Sequence, residues 1–60
     1  MILLDLVTNE LLQSFNSVIN ASIFISNTQN IKSSIVYKKL LANIDKNKIV
    51  VLFNYKWKLL

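Results

Sequence analysis

The sequence contains no glycine and no proline among its 60 residues. Average usage would supply roughly seven of them, and they are the residues that most often mark turns. Other residues must therefore make every turn. Asparagine is the natural substitute, because it tolerates left-handed backbone and bonds its own backbone locally. We expect the main turn at residues 27–30, which read Asn-Thr-Gln-Asn.

Cysteine and histidine are absent as well. Disulfides, thiolate or imidazole metal sites, and catalysis by Cys or His are thereby excluded. Without glycine there is no phosphate-binding loop and no dinucleotide-binding motif. The three carboxylates, Asp5, Glu10 and Asp45, are not spaced as an acid–base pair. We therefore predict a protein that is not an enzyme, with no cofactor, no metal and no small-molecule substrate.

The chain is apolar for its length, with 53% hydrophobic residues, a mean hydropathy of +0.44 and 17% charged residues. A domain of this size buries only about 60% of the surface that its unfolded chain exposes. We therefore expect one domain over residues 1–60 that associates with a protein partner or with itself.

Charge is divided unevenly along the chain. Residues 1–31 contain Asp5 and Glu10 and no lysine, whereas residues 32–60 contain all seven lysines and only Asp45. This asymmetry indicates a polyanionic or acidic partner for the C-terminal half, or a solvated lysine face that keeps an apolar protein in solution. The abundance of Leu, Ile, Asn and Lys is typical of an AT-rich genome, such as that of a phage, an organelle or an AT-rich microbe.

Apolar residues recur at helical spacing near the N-terminus, and the period predicts an amphipathic helix over about residues 2–20. At the other end, the run from Ile49 and the alternation of aromatics with lysines predict a strand over about residues 49–59. The apolar sides of both elements are the expected partner interface. Its residues are Leu4, Val7, Leu11, Phe15, Val18, Phe53, Tyr55 and Trp57.

Residues 21–30 are ambiguous: before the expected turn, residues 21–26 could continue the first helix, form a short helix capped by Asn20, or form a strand. A second, basic helix is predicted over about residues 31–45, with Asn30 as its N-cap and Asn47 as a left-handed exit. The C-terminal strand would then pair with residues 21–26 or with another chain. The predicted class is a small α+β protein that a partner chain completes.

Lys32, Lys39 and Lys46 recur every seven residues and would share one face of the second helix. Residues 30–49 resemble the recognition helix and following strand of winged helix-turn-helix proteins. In this resemblance, residues 21–26 are the preceding short helix. The sequence departs from the family in leaving no residues for a second wing strand. The resemblance implies DNA or RNA contact. The implied contact residues are Lys32, Ser33, Ser34, Lys38, Lys39 and Lys46.

The apolar start of the chain lacks a basic segment and contains Asp5, which argues against a signal peptide. Residues 11–31 are too rich in amides and hydroxyls for a membrane-spanning helix. We therefore expect an intracellular protein without membrane contact. The first function hypothesis is a non-catalytic interaction protein or structural subunit, and the alternative is a winged-helix-like nucleic-acid-binding regulator.

Overall fold

A computed structural model describes residues 1–59 as a four-stranded sheet with two helices, which confirms the predicted α+β class. The chain forms two strands, then both helices, then two more strands. The elements are β1 (Ile2–Asp5), β2 (Leu11–Ser14), α1 (Val18–Gln29), α2 (Ser33–Asn43), β3 (Val50–Leu52) and β4 (Tyr55–Lys58).

The strands follow the order β2-β1-β4-β3, and every neighbouring pair is antiparallel. The two central strands come from opposite ends of the sequence, with Leu3 of β1 directly opposite Trp57 of β4. The expectation that the C-terminal strand pairs with residues 21–26 or with another chain is therefore wrong. Both of its neighbours, β1 and β3, lie within this chain.

The N-terminal segment is a β-hairpin, so the helix predicted over residues 2–20 is wrong except for its last turn. A compact turn reverses the chain between β1 and β2. The carboxylate of Asp5 accepts hydrogen bonds from the backbone N–H groups of Val7 and Thr8, at 2.9 and 2.8 Å. Asn9 then adopts a left-handed conformation with φ 65°, which asparagine tolerates better than most residues.

Strand β2 contains an irregularity where it passes Leu4. Leu3 pairs with Gln13 and Leu4 with Leu11, which leaves Leu12 as an extra residue in β2. Such a β-bulge puts two residues of one strand opposite one of the other. Leu3 and Leu4 are both buried, whereas Leu11 and Leu12 on the bulged strand are both exposed.

Helix α1 resolves the ambiguous segment of residues 21–30. It begins after Ser17, whose hydroxyl accepts a hydrogen bond from the backbone N–H of Asn20, and it ends at Asn30 in the left-handed conformation. Asn30 therefore terminates α1. The prediction that Asn30 is the N-cap of α2 is wrong. Lys32 occupies the N-cap of α2.

The end of α2 also differs from the expectation. The helix stops at Asn43, and the following Ile44 is extended. Asn47 is not left-handed. Its backbone N–H donates to the carboxylate of Asp45 at 2.8 Å, which makes a local turn.

The predicted C-terminal strand over residues 49–59 is in fact a second hairpin. Phe53 and Asn54 form the two-residue turn between β3 and β4, and both have positive φ, 54° and 66°. Positive φ at both central residues defines the type I′ turn that suits the twist of a hairpin. The expectation that no residues remain for a second strand is therefore also wrong.

The core lies between one face of the sheet and both helices. Its fully buried members are Leu3, Ala21, Ile25, Val36, Leu40 and Trp57. The Trp57 indole nitrogen donates a 3.0 Å hydrogen bond to the Leu52 carbonyl, so its polar atom is satisfied. Because side chains alternate along a strand, Lys56 and Lys58 extend from the other face of the sheet, away from the helices.

Candidate nucleic-acid interface

Helix α2 packs against α1 and places Val36 and Leu40, which are completely buried one turn apart, in the core shared with the sheet. The other residues of α2 are exposed. Five of the six residues implied by the winged-helix resemblance lie on or next to this helix and are exposed. They are Lys32, Ser33, Ser34, Lys38 and Lys39.

The sixth residue, Lys46, is exposed but lies three residues beyond the end of α2, in the turn that leads to β3. The predicted ridge of Lys32, Lys39 and Lys46 on one helix is therefore wrong at both ends. Lys32 is the extended N-cap residue, and only Lys39 belongs to the helix itself. Lys38 lies directly opposite the buried side of the helix.

The N-terminus of α2 is open to solvent. The carbonyl of Lys32 accepts hydrogen bonds from the backbone N–H groups of Ile35 and Val36, at 3.0 and 3.2 Å. The Lys32 side chain makes no capping bond. The first helical residues, Ser33 and Ser34, thus place two hydroxyl groups beside a lysine at the positive end of a helix dipole.

Helix α2 carries no carboxylate, so its lysines have no acidic neighbour on the same helix. Among residues 1–59, the one ion pair joins Lys48 to Asp45 at 3.9 Å in the exposed turn after α2. At the far side of the sheet, the Lys56 ammonium donates a 2.6 Å hydrogen bond to the side-chain carbonyl of Asn9. The positive charge around α2 is therefore not neutralised locally.

The most strongly bound carboxylate belongs to Asp5, in the β1–β2 turn. Backbone N–H groups of Thr8 and then Val7 lower the pKa of this side chain, and burial opposes them to a smaller extent. Hydrogen bonds donated to the charged form stabilise it. Asp5 is therefore a turn-forming residue.

A groove of about 450 Å³ separates the exposed sides of α1 and α2. Its walls are largely apolar, and the Ser22 hydroxyl beneath them donates to the Val18 carbonyl at 2.8 Å. The residues that line the groove are Ile19, Ser22, Ile23, Ser33, Ser34 and Tyr37. It adjoins the N-terminus of α2 and was not foreseen from the sequence.

The eight residues predicted at a partner interface do not form one surface. Trp57 and Leu4 are buried, on opposite faces of the sheet. Four others, Phe15, Val18, Phe53 and Tyr55, are half-buried and pack against the chain's own core. Only Val7 and Leu11 are largely exposed. The apolar residues exposed on the helices were missed, because their spacing resembles that of a core stripe.

In residues 1–59, no cluster of acidic, cysteine or histidine side chains could hold a metal ion. Neither of the two described helices has the length and apolar character that crossing a bilayer requires. Comparison with protein-family models, with curated proteins and with solved structures gives no match to this chain.

Proposed function

We propose that this protein is a non-catalytic nucleic-acid-binding module and that α2 is its contact helix. The observation that carries the proposal is the exposed positive charge on α2 and at its N-cap. Lys32, Lys38 and Lys39 are exposed there, and no carboxylate lies within the helix. Phosphates bind to such unneutralised cations with release of counterions, which supplies most of the affinity of non-specific complexes.

The order of the elements supports the same function. The connection between α1 and α2 is only three residues long, from Asn30 to Lys32. A turn of this length is typical of helix-turn-helix motifs, whose second helix enters the major groove with its N-terminal residues at the bases. The hairpin of β3 and β4 is the next element after α2, in the position of the wing in winged helix-turn-helix proteins.

The test compares two variants that remove the same charge from opposite sides of the molecule. One is Lys38→Gln with Lys39→Gln on α2, and its control is Lys56→Gln with Lys58→Gln on the uncovered face of the sheet. Binding to a duplex of roughly 21 base pairs, two helical turns, is measured by fluorescence anisotropy from about 50 to 200 mM salt. Circular dichroism verifies that both variants fold.

We expect the wild-type affinity to fall steeply with salt and the α2 variant to bind more weakly at every salt concentration. Loss of each phosphate-contacting lysine lowers the salt slope by about 1, so the α2 variant should lose about 2, whereas the sheet variant retains the wild-type slope. Equal weakening in both variants would mean that binding follows net charge, and no binding at low salt would refute the proposal.

The second candidate is the interaction or structural subunit, acting with a protein partner or as a homo-oligomer. One observation favours it: eleven large hydrophobic side chains are exposed in residues 1–59, including Ile19 and Ile23 beside the groove. Exposed apolar surface that lies together marks interaction sites in many proteins. Light scattering after size-exclusion chromatography tests this candidate, since a monomer at micromolar concentration would argue against self-association.

A further inference from the structure

The outward side of α2 is more apolar than phosphate binding requires. At 100° per residue, five residues lie within about 60° of the direction opposite the buried Val36–Leu40 side. All five are exposed. They are Ser34, Ile35, Lys38, Leu41 and Ala42. Ile35 is 50% exposed and Leu41 is 51% exposed, although the same helix carries the exposed Lys38 and Lys39.

The polar groups here offer little rigid, two-bond recognition of a base. The sequence has no arginine, whose planar fork binds guanine through two hydrogen bonds, so contact with guanine would fall to Lys38, whose ammonium is a flexible point charge that also suits phosphate. Asn43 could bind adenine in the same manner, but its amide nitrogen already donates to the Lys39 carbonyl at 2.8 Å. Among the bases, thymine presents a methyl group in the major groove, and apolar side chains recognise it by contact.

We infer that α2 recognises A·T-rich duplex DNA by packing Ile35, Leu41 and Ala42 against thymine methyl groups. This inference rests on the nucleic-acid-binding function proposed above and names the class of DNA. A helix is about 10–12 Å across, which fits a major groove about 12 Å wide. The charge of Lys32, Lys38 and Lys39 around these side chains favours a polyanion over a neutral protein surface as the occupant.

The experiment changes only the methyl group. Four duplexes of equal length are compared: A·T, the same sequence with deoxyuridine in place of thymidine, G·C, and G·C with 5-methylcytosine. Removing the thymine methyl should weaken wild-type binding by about fourfold for each contacted methyl. Adding the methyl to cytosine places the same group in the same groove and should tighten binding to the G·C duplex.

Protein variants show which side chains contact the methyl. Ile35→Ser and Leu41→Ser should each reduce the thymidine-over-deoxyuridine ratio towards one while the salt dependence persists. The matched control is Leu12→Ser, because Leu12 is similarly exposed, at 47%, but lies on the edge strand β2. This control should retain the wild-type ratio. An effect of the methyl on DNA shape would be the same for every protein variant, so a ratio that changes only in the α2 variants reports side-chain contact.

Each alternative result has a distinct meaning. Equal affinity for the thymidine and deoxyuridine duplexes, with strong salt dependence, would overturn the methyl inference and leave nucleic-acid binding intact. No binding to any duplex would overturn both. A wild-type dimer that Ile35→Ser and Leu41→Ser convert to a monomer would show that this side of α2 is covered by a second copy of the chain, and it would refute the inference.

Discussion

The side-chain amide of Gln29 donates a 2.7 Å hydrogen bond to the backbone carbonyl of Phe53. This bond ties the last residue of α1 to the turn between β3 and β4, which lies 24 residues further along the chain. Because Gln29 is half-buried, its loss leaves the carbonyl without this donor in a poorly solvated place.

Gln29→Ala should therefore lower the free energy of unfolding by about 1 kcal/mol. Urea denaturation followed by circular dichroism measures the change. The control is Asn27→Ala, an exposed amide two residues earlier on the same helix. If both variants lose the same stability, the effect belongs to the helix and not to its bond with the hairpin turn.

Asn54 adopts φ 66° in the type I′ turn. A side chain with a β-carbon is strained there, and asparagine only reduces the cost. Asn54→Ala should destabilise the protein by about 1 kcal/mol, whereas Asn54→Gly should be neutral or stabilise it by several tenths of a kcal/mol. The two midpoints of thermal unfolding decide the matter, since a glycine variant that melts below the alanine variant would contradict this turn geometry.

Trp57 is the largest fully buried side chain of the described residues. Its replacement by alanine opens a cavity and removes the bond to the Leu52 carbonyl, at a cost of about 3–5 kcal/mol. That loss equals the stability that a single core of this size usually supplies, so Trp57→Ala should be unfolded by circular dichroism. Trp57→Phe retains most of the volume and should remain folded with a lower melting temperature.

The Asp5 carboxylate should make stability pH-dependent in acid. Backbone bonds from Thr8 and Val7 hold its folded pKa below the ordinary value of 3.8. A depressed pKa means that the stabilisation is present above about pH 3.8 and is lost as pH falls through the lower folded value. Asp5→Asn should therefore be less stable than wild type near neutral pH.

Denaturation midpoints measured across the acid range should show the difference between wild type and Asp5→Asn shrinking below pH 3.8. Glu10→Gln is the control, because Glu10 contributes its backbone carbonyl to this turn, bonded to the Asp5 N–H at 2.8 Å. A difference between wild type and Asp5→Asn that is constant with pH would contradict the assignment to the carboxylate.

The C-terminal half of the chain was predictable in much of its structure, and the N-terminal half was not. Val36 and Leu40 are buried as their helical spacing predicts, and Trp57 faces inward while Lys58 faces out as strand alternation predicts. The same alternation is masked in β1 and β2. Adjacent leucines are buried together at Leu3–Leu4, and the bulge exposes Leu11 and Leu12 together.

Turns without glycine explain the remaining errors. Asparagine occupies three of the four left-handed positions, Asn9, Asn30 and Asn54, yet it is also a good N-cap and a common surface residue. Sequence alone could not tell these roles apart. Local signals were present in the sequence. Asp5 followed by Thr8 and Asn9 is typical of a turn held by a side-chain hydrogen bond. Ser17 is a good N-cap residue and marks the true start of α1.

The candidate contact residues on α2 were predictable because lysine is nearly always exposed, so its position on the helix follows from the sequence without knowledge of the packing. The apolar residues beside them were not. Ile35 and Leu41 have the composition of a core, and only the position of α2 against the sheet shows that they face outward. The groove likewise depends on the packing of α1 against α2.

The pairing of β1 with β4 brings Ile2 opposite Lys58. Adjacent strands lie only about 5 Å apart, so the polypeptide enters and leaves the sheet at neighbouring points. A domain with this geometry can be spliced into a surface loop of a host protein without separating the two sides of the loop. By the same geometry, we expect a circular permutant to fold when a short peptide joins the ends of β1 and β4 beyond Met1 and new ends are opened between α1 and α2.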